Sequence, residues 1–318
     1  MVRPQVSVCV TTYNQQRYIR QCLESVLAQA IDVDLEILVG DDCSDDGTTE
    51  IVAEMAHLYQ HVVSHLRHSP RIGGSANTQL LLSHAKAEFI ARLDGDDYWL
   101  PGKLKLQVAY LVANPDCAAV YTNALTIDEG GNPIGIFNDV GDECFDLAAM
   151  LRRGNFLNNS SVLFRAAGKK AWIDLQGPLI DYRVHLLHAR SGFLAQLAQP
   201  LTVYRINSEG SMVSGSNEQV RQLYWEAIGS VPRNLVTEND LACGLADFLK
   251  RVVFRAVRTR KWALVRKWAP EVFGSSPYGS IRTGSLLACA IFRSSLIEIR
   301  GRFRRGPDGH RLRVLYRR

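Results

Sequence analysis

"VSVCVTT", Val6 to Thr12, is a short uncharged run rich in small and β-branched residues. A strand with one wet face alternates apolar and polar residues. This run does not, so it reads as a strand buried on both faces, the kind that lies inside a parallel sheet. Working outward, "QRYIRQCLESVLAQA" sets Tyr18 or Ile19, Cys22, Val26 and Ala30 near helical spacing. "DLEILVG" reads as a second strand, and "DDGTTEIVAEMAHLY" opens with the acids and Thr that favour a helix start. "HVVSHL" is a third strand, "ANTQLLLSHAKA" a helix, "EFIARL" a fourth strand, "GKLKLQVAYLVANP" a helix and "CAAVYTN" a strand. Regular alternation of strand and helix predicts a doubly wound, mostly parallel α/β sheet.

Such sheets hold ligands beyond the carboxyl ends of their strands. Three strands run into polar residues there. The first meets Thr11, Thr12, Tyr13 and Asn14, the second Asp41 and Asp42, and the fourth Asp94, Asp96 and Asp97. Crowded carboxylates repel one another and call for a cation. Mg²⁺ or Mn²⁺ suits them, since these ions take one or two carboxylates plus substrate phosphates. Gly95, between two acids, would let a diphosphate approach closely. The plainer alternative is a polar loop that ends a strand. Asp42 could accept hydrogen bonds from a base or a ribose. Asp45, Asp46 and Thr48 read instead as a turn that caps the next helix. Tyr98 and Trp99 read as packing that fixes the acidic loop. His57, His61, His65 and His68 fall near helical spacing, but "HVVSHL" as a strand would scatter their rings, so no metal site is expected there.

The totals narrow the class. The chain has 318 residues, 47% of them hydrophobic and 22% charged, enough for one large or two small globular domains. Seven scattered cysteines without a CxxC argue against a disulfide framework or a zinc site and fit a reducing compartment. No secretory signal or membrane span is read from the sequence. Ala246 to Arg318 holds 18 Lys and Arg against 4 acids, net +14, while the rest holds 19 bases and 28 acids, net −9. Beyond Asn123 the pattern loosens. "IDEGGNPIGIFNDVGDE" reads as loop and "NNSSVLFR" as a strand. "PLIDYRVHLLHARSG" reads as a loop entering a helix that stops at Gly192, and "LAQLAQPLTVYRINSEGSM" as a strand and a polar loop. From Glu218 the chain turns helical and basic. "IRTGSLLACAIFRSSLIEIRGRFRRG" mixes apolar residues with Arg. Such a tail can lie on an anionic membrane surface or pack on the domain. Nucleic acid is not expected, for want of a recognition motif.

Taken in order, "VSVCVTTYNQQRYIRQCLESVLAQ", "ILVGDDCSDDGTTEIV", "EFIARLDGDDYWLPGKLKLQV", "NNSSVLFR" and "DYRVHLLHARSG…PLTVYRINSEGSM" resemble the successive motifs of the family 2 glycosyltransferases, over Val6 to Met212. The resemblance implies a GT-A fold, a nucleotide-diphosphate sugar donor (a UDP-sugar by family habit), a divalent Mg²⁺ or Mn²⁺, and inversion at the anomeric carbon. It implies that Thr11, Tyr13 and Asp42 hold the nucleotide base and that Asp94 meets the ribose or a metal-bound water. Asp96 would meet the metal with Asp97 behind it, and Asp181 would be the catalytic base. Ile180 replaces an acid usual before that base, and His185 stands where Trp is common, so Asp97 and Glu209 are the next candidates. The QxxRW motif of polymerising members is missing, since Gln222-Leu223-Tyr224-Trp225 lacks the Arg, which favours one sugar per encounter.

The expected layout is a catalytic domain over 1–215, divided into a nucleotide half (1–123) and an acceptor half (124–215), and a basic helical extension over 216–318. The acceptor would be a glycan or a lipid-linked glycan, in bacterial surface polysaccharide or lipopolysaccharide assembly, at a cytoplasmic site or on the inner face of the membrane. A signalling receiver is disfavoured, because its paired acids would follow the first strand, which here ends in "TTYN". A nucleotide-sugar pyrophosphorylase would need a Gly-rich basic N-terminal loop that is missing. A non-catalytic Mg-binding α/β module is the remaining alternative.

Overall fold

The computed structural model describes residues 4–206, 217–303 and 313–317. Strand β1 (Val6–Thr12) is buried along its whole length. It lies between β2 (Leu35–Asp41) and β4 (Phe89–Asp94), with β3 (Val63–Arg67) outside β2, and all four run parallel. Side chains alternate across a strand, and β1 divides two cores in that way. Val6, Val8 and Val10 pack with α1 (Ile19–Leu27), α2 (Thr48–Leu58) and α4 (Lys103–Ala113), whereas Cys9 faces the core that holds Leu81 and Leu82 of α3 (Gly74–His84). Helices cover both faces, which is why the strands read as continuous apolar runs.

The second half is more strand-rich than its sequence pattern suggests. A two-residue β5 (Tyr98–Trp99) pairs antiparallel with β10 (Phe193–Arg205), which runs parallel along β6 (Cys117–Ile127). The stretch expected to be loop holds β7 (Pro133–Asn138), hairpinned to β6, and runs into β8 (Glu143–Phe145), paired with β10. Asp128 closes the hairpin by accepting the Asn132 N–H (2.8 Å). In "NNSSVLFR" only β9 (Leu163–Arg165) is strand, set antiparallel between β4 and β6, and Asn159–Ser161 form a 3₁₀ turn. Helices α5 (Leu147–Arg153) and α6 (Lys169–Ile173) are too short to show a period. The next helix, α7 (Asp181–His188), ends short of Gly192.

Among the described residues four helices follow: α8 (Asn217–Gly229), α9 (Glu238–Thr259), α10 (Ala263–Ser275) and α11 (Ser280–Phe303). Thr237 and Asp240 cap α9 reciprocally. The extension is mainly helical, but it also returns a strand, β11 (Arg313–Tyr316), parallel to β7. Gly135 permits that return, because a Cβ there would lie 1.9 Å from the Arg313 carbonyl oxygen. Among the described residues no helix is long and apolar enough to cross a membrane. All seven cysteines are free thiols.

Candidate active site

The register of the parallel strands brings the polar ends together. Thr11 of β1 lies beside Asp94 of β4, and Thr12 beside Asp41 of β2. The Thr11 hydroxyl donates to Asp94 Oδ1 (3.1 Å). The four acids at the end of β2 and just beyond it divide in role. Asp41 is fully buried and accepts from Ser44 N–H (2.9 Å) and Thr49 Oγ1 (2.5 Å), with His65 3.7 Å away. Burial opposes its ionisation, but these partners outweigh it and hold the carboxyl well below the usual range. Asp45 and Asp46 act as turn residues. Asp46 accepts the Thr48 N–H (2.9 Å) and the Gln16 N–H (3.1 Å), which ties the two rim loops together.

Asp42 is buried and fully engaged. Oδ1 accepts the Ile72 N–H (2.8 Å), Oδ2 accepts Arg71 Nε (3.1 Å), and Gly73 N–H reaches both oxygens (3.1 and 3.0 Å). It organises the 71–73 loop, and that loop lays the Arg71 guanidinium 3.5 Å from the centroid of the Tyr13 ring. Tyr13 and Asp42 therefore share one corner of the rim, with Arg71 between them.

The acidic loop after β4 is held from three sides. Gly95 donates its N–H to the Thr11 carbonyl (2.9 Å), and a Cβ on it would meet Gln15 Oε1 at 2.5 Å and Thr12 at 3.0 Å. The missing side chain thus lets the loop seat on the β1 loop. Trp99 is buried, donates Nε1–H to the Ser160 carbonyl (2.8 Å), and lies 4.0 Å from the Lys103 ammonium. It is packing, as expected. Arg205 closes the third side. Its N–H donates to Asp97 Oδ1 (2.9 Å) and its Nε–H to the Asp96 carbonyl (3.1 Å). Burial first, then the Asp96 and Asp94 charges, push the Asp97 carboxyl well above its usual range. Asp96 itself is half-buried at the rim.

Asp181 is the first residue of α7, where a helix N-terminus favours a carboxylate. Asn159 Nδ2 donates to its Oδ1 (2.8 Å). Packed protein behind it is the main cause that raises its carboxyl to about 6. The Arg92 charge opposes the rise, and the Asp94 charge adds to it. The side chain itself is open to solvent, and water moderates the rise. Arg92, only 12% exposed, pairs with Asp94 (2.9 Å) and acts on Asp181 as well. The two carboxylates thus share one cation. On the buried side of α7, His185 meets the Tyr121 hydroxyl through Nδ1 (2.8 Å), so it belongs to the core.

Arg71, Arg92, Asn159, Ser160 and Arg205 escaped the sequence reading. Only Arg92 carried a local signal, a charge inside an apolar strand. Glu209, the reserve base candidate, lies outside the described residues. His65 sits beside Asp41 and His68 Nε2 meets Asn77 Oδ1 (3.0 Å), and among the described residues no cluster of three or more His, Cys, Asp or Glu could hold a metal ion.

A family model described as glycosyl transferase family 2 matches residues 7–152. An uncharacterised protein of Mycobacterium tuberculosis is 32% identical over 226 residues, which is 70% of this chain. The chain covers 64% of the length of that relative. Among solved structures, residues 1–349 of S. aureus TarS in complex with UDP-GlcNAc match with a TM-score of 0.65 and 20% identity, over 89% of this chain and 84% of that one. The mannosyltransferase PcManGT from Pyrobaculum calidifontis, in complex with GDP-Man and Mn²⁺, matches with a TM-score of 0.52 and 17% identity, over 94% and 88% of the two chains. At these identities the two structures speak for the fold.

Proposed function

We propose, from the premise that this chain belongs to glycosyl transferase family 2 through residues 7–152, that it moves one sugar from a nucleotide-diphosphate sugar to an acceptor hydroxyl with inversion. One observation carries the reading: the Tyr13–Arg71–Asp42 corner, the Asp94–Asp96 loop and Asp181 converge on the carboxyl rim of one sheet. The bound nucleotide sugars of the two structural neighbours support a donor of this class, and we take a UDP-sugar as the first candidate.

In this reading the base stacks on Tyr13 beside Arg71, and Asp42 fixes the loop that brings Arg71 there. Thr11 orients Asp94 toward the ribose. Asp181 accepts the proton of the acceptor hydroxyl as that oxygen attacks the anomeric carbon. The bond to the diphosphate oxygen breaks on the opposite face, and nucleoside diphosphate leaves. The donor set suits a hard divalent ion. The charges of Asp94 and Asp96 push the buried Asp97 carboxyl upward, a sign of negative charge crowded in this loop that one hard cation would relieve. Asp96 would hold Mg²⁺ or Mn²⁺ together with diphosphate oxygens. That ion would supply positive charge to stabilise the departing diphosphate. The layout we propose keeps catalysis within residues 1–215 and leaves 216–318 as the extension. The acceptor is proposed to be a glycan or a lipid-linked glycan of a surface polysaccharide.

A panel of nucleotide sugars, read for stabilisation of the protein and for released nucleoside diphosphate, tests this. Release or consumption of pyrophosphate would indicate a pyrophosphorylase. Binding without turnover on any acceptor would leave a non-catalytic module.

A further inference from the structure

Helix α11 has 24 residues and two unlike faces. On one, Thr283 is buried and donates its hydroxyl to Ser276 Oγ (2.8 Å), and Leu287 packs against the main core. On the other, Ile281 is 89% exposed, Phe292 65%, Leu296 37% and Ile299 50%. At ~100° per residue these four fall within a stripe about 60° wide and roughly 27 Å long. Ser285 and Ala288, also exposed, fill the gaps between them. Scattered exposed apolar residues are ordinary, but a continuous stripe marks an interaction surface.

Charge selects the occupant. Arg282 and Arg293 are exposed and share one flank of the stripe. The segment from Ala246 onward carries +14, against −9 for the remainder. A second copy seated on the stripe would set one +14 segment against another. An anionic bilayer offers apolar depth for the stripe and negative headgroups for its basic flank. We propose that α11 docks on an anionic membrane surface, with Ile281, Phe292, Leu296 and Ile299 in the headgroup–acyl boundary and Arg282 and Arg293 at the headgroups. The helix lies on the membrane and does not cross it. This surface is separate from the transfer site.

Sedimentation of the full chain with vesicles tests the proposal and needs neither donor nor acceptor, so it stands or falls apart from the transfer reading. Binding is expected to phosphatidylcholine vesicles that contain phosphatidylglycerol, weakening as salt rises, and to be much weaker with phosphatidylcholine alone. The doubly substituted Phe292→Ser, Leu296→Ser protein should bind at least about tenfold more weakly with an unchanged melting temperature. Arg282→Gln with Arg293→Gln should lower affinity and flatten the salt dependence, and this pair carries the test if the first variant is poorly folded. No binding to the anionic vesicles, or equal binding by both variants, overturns the proposal. So does a wild-type dimer that the Phe292→Ser, Leu296→Ser variant converts to monomer, since a second copy would then cover the stripe.

Discussion

Asp181 has a carboxyl raised to about 6 and an asparagine amide on one oxygen, and its side chain is open to solvent. Asp181→Asn keeps the shape and removes the base. Turnover is expected to fall roughly 10²–10⁴-fold with donor binding near wild type. The wild-type rate should fall as pH drops through about 6, because the base must be ionised to work. The stability sign is opposite. A carboxyl whose folded pKa is raised stabilises the fold most below its unfolded value near 3.8, and that contribution is lost as pH rises through about 6. At pH 7.5 the Asn variant should therefore melt at the wild-type temperature or above it. A lower melting point that accounts for the lost activity would make Asp181 structural. Asp96→Ala should instead weaken donor binding and turnover together. In the nucleotide corner, Asp42→Ala and Arg71→Ala should each weaken nucleoside diphosphate binding. If Asp42 works by placing Arg71, calorimetry will find the double variant no weaker than the worse single one. Additive losses would mean that they act apart.

At the scale of elements, α7 is seated by the extension. Tyr182, next to Asp181, stacks on Tyr224 of α8 with centroids 4.4 Å apart and planes at 19°. Arg251 of α9 donates to the Arg153 carbonyl (3.2 Å), pinning the chain that leads to Asn159. Tyr224 and Trp225 belong to the stretch nearest to QxxRW, and here they are packing residues, Trp225 lying against Phe248 and Trp268. Tyr224→Leu should tilt α7, lowering kcat while the donor KM stays close to wild type. Tyr224→Phe keeps the stack and should recover most of the loss. If Leu and Phe are equally impaired, the stack is not what positions the helix.

At the scale of the molecule, one apolar core runs from Cys9 of β1 through Phe145, Phe156 and Tyr182 to Phe248 and Trp268 of the extension. A shared core implies one cooperative transition. Trp268→Ala should cost about 3–5 kcal/mol and lower the single melting transition as a whole. Two transitions in calorimetry, with the earlier one alone sensitive to Trp268, would show that the extension unfolds separately.

The chain alone determined the parallel half of the sheet and the polar rim. β1, β2 and β4 are buried on both faces, and their polar ends, Thr and Tyr at the end of β1 and acids at β2 and β4, come at once in sequence, so local pattern and final place coincide. Strands as short as β8 and β9 or a helix as short as α6 span no full period, and only their partners define them. The site needs distant residues. Arg71 meets Asp42 across 29 positions, Asn159 meets Asp181 across 22, and the Arg205 N–H meets Asp97 across 108. No composition or spacing encodes those pairs. Strand register and the packing of α7 against α8 bring them together, and the protein packed around Asp97 and behind Asp181 raises both carboxyls. A sequence pattern records which side of each element faces water. Which buried sides meet one another is decided only by the folded whole.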